Sequence, residues 1–93
     1  MKKPKLNPNQ FAVGQAEYST GHVLNVVKTI HHQNGEVYLV FESKDEALTY
    51  IKNTLIENPN IECWMENSLG EFVITIDING ERDYNASGNM DME

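Results

Sequence analysis

A single cysteine, Cys63, stands among the 93 residues, so no disulfide can form within the chain and nothing calls for an oxidising compartment. Long apolar runs are also missing, and no stretch approaches the roughly 18 residues that a membrane-spanning helix needs. The opening MKKPKLNPN has lysines but no apolar segment behind them, so it does not read as a signal peptide. A cytoplasmic protein is the expectation. Positive charge is scarce: seven Lys and Arg face fourteen Asp and Glu, for a formal charge of -7. The dense basic run is Lys2, Lys3 and Lys5. An acidic chain repels phosphate backbones, which argues against nucleic-acid binding. The same charge suits solubility or a basic protein partner.

Recognisable catalytic motifs are missing too. There is no glycine-rich phosphate loop and no Ser-centred elbow. His31 and His32 invite a metal reading, but neighbours on a strand point to opposite faces, and on a helix they stand about 100° apart. His22 shares the parity of His32, yet ten extended residues separate them by roughly 33 Å. The run DINGERD, Asp77 to Asp83, echoes a calcium loop, but Gly80 arrives at the fourth place rather than the sixth and no matching glutamate follows. It reads as a tight turn. Cys63 alternates in phase with Ile61 and Met65, as a small buried hydrophobe would. No catalytic residue, metal ligand or cofactor is assigned, and the sequence offers no positive reason to call the chain an enzyme.

Hydrophobic residues make up 40% of the chain, ordinary for a small globular fold. Residues 1–10 and the polar end 86–93 read as flexible tails around one domain at 11–85. The plainest element is a helix near residues 44–57. Ser43 stands at the N-cap with Glu46 three residues on, a capping-box arrangement, and Asp45 and Glu46 suit the helix dipole. Ala47, Leu48, Ile51 and Leu55 draw one apolar stripe, and Asn58-Pro59 ends it.

Behind the helix, Ile61, Cys63 and Met65 alternate with Glu62, Trp64 and Glu66. After the turn Asn67–Gly70, Phe72, Ile74, Ile76 and Ile78 alternate with Val73, Thr75 and Asp77. Period two on both sides of a short polar turn predicts a hairpin. Asn79-Gly80 suggests a further turn into a short edge strand at Glu81–Tyr84, with Asp77 opposite Arg82. Ahead of the helix, residues 37–41 alternate as a strand. Val23–His32 fits a helical stripe or a strand, and its β-branched residues together with the Asn34-Gly35 turn favour a strand that pairs Ile30 with Leu39. Lys28 fits badly there, because it would share the core face with Leu24, Val26 and Ile30. Residues 11–21 show no clear period. The sum is an α+β two-layer sandwich: a mainly antiparallel sheet of four to five strands (ββαββ, with a possible short fifth) and one helix on one face.

The opposite sheet face carries the functional expectation. The parity that turns Leu39, Phe41, Phe72 and Ile74 inward turns Val27, Thr29, His31, Tyr38, Val40, Trp64, Val73 and Thr75 outward. Glu36, Glu42, Glu62, Glu66, Glu71 and Asp77 lie around them. A merely solvated face would be polar throughout. Trp and Tyr anchor interfaces inside polar rims. Three occupants suit this face: residues 11–21 folded back with Phe11, Val13 and Tyr18, a second copy of the chain, or a basic protein. The reading is a protein-binding module with Trp64, Tyr38, His31, Val40, Val73 and Thr75 as contact residues. The alternative is a small-molecule site or enzyme with a pocket near Tyr38, His31 and Trp64. Everything here depends on register, since a one-residue slip exchanges the two faces.

Overall fold

The computed structural model of the chain describes residues 3–29 and 36–83. It is an α+β fold, one helix packed on one face of an antiparallel sheet. The strands are β1 (Phe11–Glu17), β2 (Val23–Leu24), β3 (Leu39–Phe41), β4 (Ile61–Glu66), β5 (Phe72–Asp77) and β6 (Gly80–Asp83), and the helix is α1 (Lys44–Glu57). The Asn34-Gly35 turn, the pairing of Ile30 with Leu39, the positions of His31 and His32, Tyr84 and residues 86–93 lie outside the described residues. No helix among the described residues is long and apolar enough to cross a membrane.

The segment without a readable period, 11–17, is a central strand. β1 pairs with β4 along one edge and with both β2 and β3 along the other. It is buried on both faces from Ala12 to Ala16, so no alternation of apolar and exposed polar residues reveals period two, and the one polar side chain of that span, Gln15, is itself buried.

Among the described residues, β2 and β3 pair with β1 and not with each other. β2 and β3 lie end to end in one lane beside β1. Val23 and Leu24 face Ala16 and Gln15, while Leu39, Val40 and Phe41 face Val13, Ala12 and Phe11. The chain leaves the lane after Leu24 and returns before Leu39. A hydrogen bond from the Val26 amide to the Glu36 carbonyl (2.8 Å) ties the two limbs together. Lys28, the residue that resisted the strand, sits in a turn at φ 69. Asn25 builds that turn: its Oδ1 accepts from the amides of Val27 and Thr29 and from the Thr29 hydroxyl. Val27 and Thr29 are therefore loop residues and not part of a sheet face.

The helix forms as its sequence predicts. Ser43 is the N-cap, its Oγ accepting the Glu46 amide at 3.2 Å. The Glu46 carboxylate reaches back one residue further than in a standard capping box, to the Glu42 amide at 3.2 Å. Asn58 closes the helix by donating its amide to Thr54 O. Ala47, Ile51 and Thr54 are buried, and Leu48, Tyr50 and Leu55 pack around them. Beneath the helix lie Val13, Leu24, Ile61, Cys63, Met65, Ile74 and Ile76, the inward set of β1, β2, β4 and β5.

Two registers differ from expectation. The β5–β6 turn is Ile78-Asn79, which sets Asp77 opposite Gly80 and Arg82 opposite Thr75. Asp77 fastens this turn by accepting the Asn79 amide at 2.8 Å, and Gly80 follows at φ 123, where a side chain would be strained. In the β4–β5 ladder, the register shifts between Met65 and Glu66, so that Met65 faces Ile74 while Glu66 faces Phe72. A bulge of this kind leaves Val73 as the extra residue and reverses the parity beyond it.

Candidate functional site

The outer sheet face is built on small residues. Ala12, Gly14 and Ala16 of β1 face Glu66, Trp64 and Glu62 of β4 across the ladder. The missing side chain at Gly14 leaves a trough, and the Trp64 indole fills it: a Cβ on Gly14 would stand 2.1 Å from Cζ2. Trp64 in turn faces Thr75 of β5.

Beside the indole lies Glu66, 3% exposed. A carboxylate so placed is costly unless every oxygen is paired. Its Oε2 accepts from Trp64 Nε1 at 2.9 Å and from the Tyr38 hydroxyl at 3.0 Å. Its Oε1 lies 3.1 Å from Lys3 Nζ. Burial, then the hydrogen bond and negative charge of Glu66, push the Tyr38 phenol up to about 12, so Tyr38 keeps its proton and remains a donor.

Three rings form a row across this face. Tyr38 meets Trp64 edge-on, with centroids 6.1 Å apart at 89°. Phe72 stacks on the other side of Trp64, at 6.3 Å and 24°. Phe72 is 44% exposed, and Val40, facing Ala12 from β3, is 43% exposed.

The structure therefore unites Tyr38 and Trp64 as the sequence predicts and leaves Val40 open on the same face. Two of the other expected contact residues change role. Val73 is not on the outer face: the bulge turns it toward the core cluster, against which it packs, and puts Phe72 beside Trp64 in its place. Thr75 does have outward parity but is 3% exposed, so it supports the face from within. His31 lies outside the described residues. Residues 11–17 do not fold over this face either, because they are a strand of the sheet itself.

Sequence reasoning missed Phe72, Gly14 and Lys3, and it read Glu66 as part of an exposed margin. The spacing Trp64-x-Glu66 was the available signal. On one strand face, i and i+2 are neighbours, within reach of an indole N–H and a carboxylate.

The helix side holds a second polar array. Fully buried Gln15 accepts the Tyr50 hydroxyl on Oε1 at 2.7 Å and donates Nε2 to Asn25 O at 3.3 Å. Lys28 Nζ donates to the Tyr50 oxygen at 3.1 Å and lies 5.3 Å from that ring's centroid. Cys63 sits in the core, where burial pushes its thiol up to about 12, the opposite of an activated nucleophile.

Two cavities lie away from the aromatic row. One, about 340 Å³, is lined by Tyr18, Glu62, Asp77, Asn79, Gly80 and Glu81 at the other end of the outer face. The second, about 430 Å³, lies over the helix start at Phe41, Asp45, Glu46 and Thr49. No family model, curated protein or solved structure matches the chain.

Proposed function

We propose that this chain is a small protein-binding module that acts through the outer sheet face and takes a basic protein partner. The observation that carries the reading is the row Tyr38–Trp64–Phe72, with Phe72 and Val40 half-exposed beside it. Aromatic side chains offer large contact area at small cost in conformational freedom, and they dominate the energetics of interfaces. Glu62 lies on the same face, and the formal charge of -7 favours encounter with a basic surface.

A small-molecule or enzymatic site at Tyr38, His31 and Trp64 has less support. Tyr38 and Trp64 direct their polar atoms at Glu66.

The test is a comparison of the native chain with Phe72→Ser. Capture of a basic partner should weaken with added salt and be lost in the variant, while its circular dichroism is unchanged. Sedimentation of the isolated chain separates self-association from binding to another protein. A monomer whose captured proteins are the same with and without Phe72 would overturn the proposal.

A further inference from the structure

The carboxylate of Glu66 is paired asymmetrically. Two neutral donors of the fold, Trp64 Nε1 and the Tyr38 hydroxyl, both serve Oε2. Oε1 is served by a cation from outside the sheet, Lys3. The two kinds of donor are held very differently. Trp64 is seated in the Gly14 trough and stacked on Phe72. Lys3 is 54% exposed at its side chain and precedes the first strand. Four residues further on, the Asn7 amide donates to Gln10 Oε1, and Gln10 Nε2 donates to Glu42.

We propose that Glu66, flanked by Tyr38 and Trp64, is a recognition site for a single lysine ammonium on a basic partner segment, and that Lys3 fills this site in cis. The inference rests on the reading of the outer face as a binding surface and names what that surface recognises. One ammonium replaces another, so exchange leaves no buried charge uncompensated. The rings of Tyr38 and Trp64 meet edge-on beside Glu66, and a lysine's methylene stem would gain by packing on such apolar surface.

The geometry also selects lysine over arginine. A guanidinium binds a carboxylate best as a two-pronged fork that engages both oxygens. Oε2 already accepts two hydrogen bonds, so one oxygen is left, which suits a compact point charge. Because Lys3 is tethered, it competes at a high effective concentration, and the site opens fully only when a stronger segment displaces it.

Trp64 is the chain's sole tryptophan and donates to Glu66, so its emission reports the site directly. The probe is the acetylated decapeptide MKKPKLNPNQ, added to the full chain carrying Lys3→Ala. Saturable change of Trp64 emission is expected, with at least tenfold weaker binding when the third residue of the peptide is Nε-acetyl-lysine or arginine. Native chain should bind the lysine peptide at least tenfold more weakly than Lys3→Ala, and adding Glu66→Gln to that variant should abolish the response. If Glu66→Gln fails to fold, the comparison of peptides on Lys3→Ala decides alone. No saturable response in Lys3→Ala, or equal binding of the lysine and acetyl-lysine peptides, overturns the inference. If that happens while Phe72→Ser still abolishes partner capture, the binding face stands and only its lysine site is lost.

Discussion

The indole of Trp64 rests on the backbone of Gly14, so close that a Cβ there would meet Cζ2 at 2.1 Å and Cε2 at 2.4 Å. A strand glycine costs roughly 0.5–1 kcal/mol relative to alanine, so propensity alone makes Gly14→Ala stabilising. The contact reverses that sign. Trp64 cannot swing aside without losing its hydrogen bond to Glu66 and its stacking on Phe72. Overpacking of this kind costs about 1–3 kcal/mol. Urea unfolding of Gly14→Ala should show a net loss, together with a shift in Trp64 emission. A more stable variant with native emission would mean the indole is free to move.

Tyr50→Phe removes one oxygen and should be felt well beyond the exposed surface. The Tyr50 hydroxyl donates to the fully buried Gln15 Oε1 and accepts from Lys28. Losing it leaves an unsatisfied acceptor in the core, a loss of about 1–3 kcal/mol. The urea midpoint should fall accordingly, and Gln15→Leu placed in the same variant should recover part of the loss. Additive losses in the double variant would show that the two side chains are not coupled.

Cys63 predicts an alkaline limit to stability. Its thiol rises from an ordinary 9.0 to about 12 in the folded chain because burial penalises the thiolate. Between those values the unfolded chain has lost the proton and the folded chain keeps it, so rising pH favours unfolding. Stability should be flat up to about pH 9 and then fall by about 1.4 kcal/mol per unit from this group. Tyr38 adds a loss of the same sign above its ordinary 10.0. Urea midpoints at pH 8 and pH 10.5 measure the slope, which should be shallower in Cys63→Ala. Equal slopes in the two proteins would show that Cys63 is not the group responsible.

The parts of the fold that were legible in the sequence are those with one buried face. The helix announced itself through the Ser43 cap and the Ala47–Ile51 stripe, and β4 and β5 through alternation. β1 was illegible because it is central and buried on both faces, so Ala12, Val13, Gly14 and Gln15 give no period. The lane shared by β2 and β3 was illegible because its two pieces are short and lie far apart in sequence, a tertiary arrangement that no local pattern encodes. Of the candidate site, Tyr38, Trp64 and Val40 followed from parity. Glu66 was misread because an acidic residue among acidic residues gives no sign that Trp64, Tyr38 and Lys3 surround it.

The β4–β5 bulge decides which neighbour of the turn reaches the site, and paired truncations test it. Strict alternation would bury Phe72 and expose Val73. The register shift between Met65 and Glu66 instead sets Phe72 on Trp64 and Val73 against the core. Val73→Ala should therefore cost about 1 kcal/mol in lost burial while Trp64 emission stays native. Phe72→Ala should remove an aromatic pairing of about 0.5–1.5 kcal/mol and shift the emission, because one face of the indole is then open to water. The informative quantity is the contrast between the two variants. Emission that responds to Val73→Ala but not to Phe72→Ala would mean the ladder runs without a bulge, and the aromatic row would then end at Trp64.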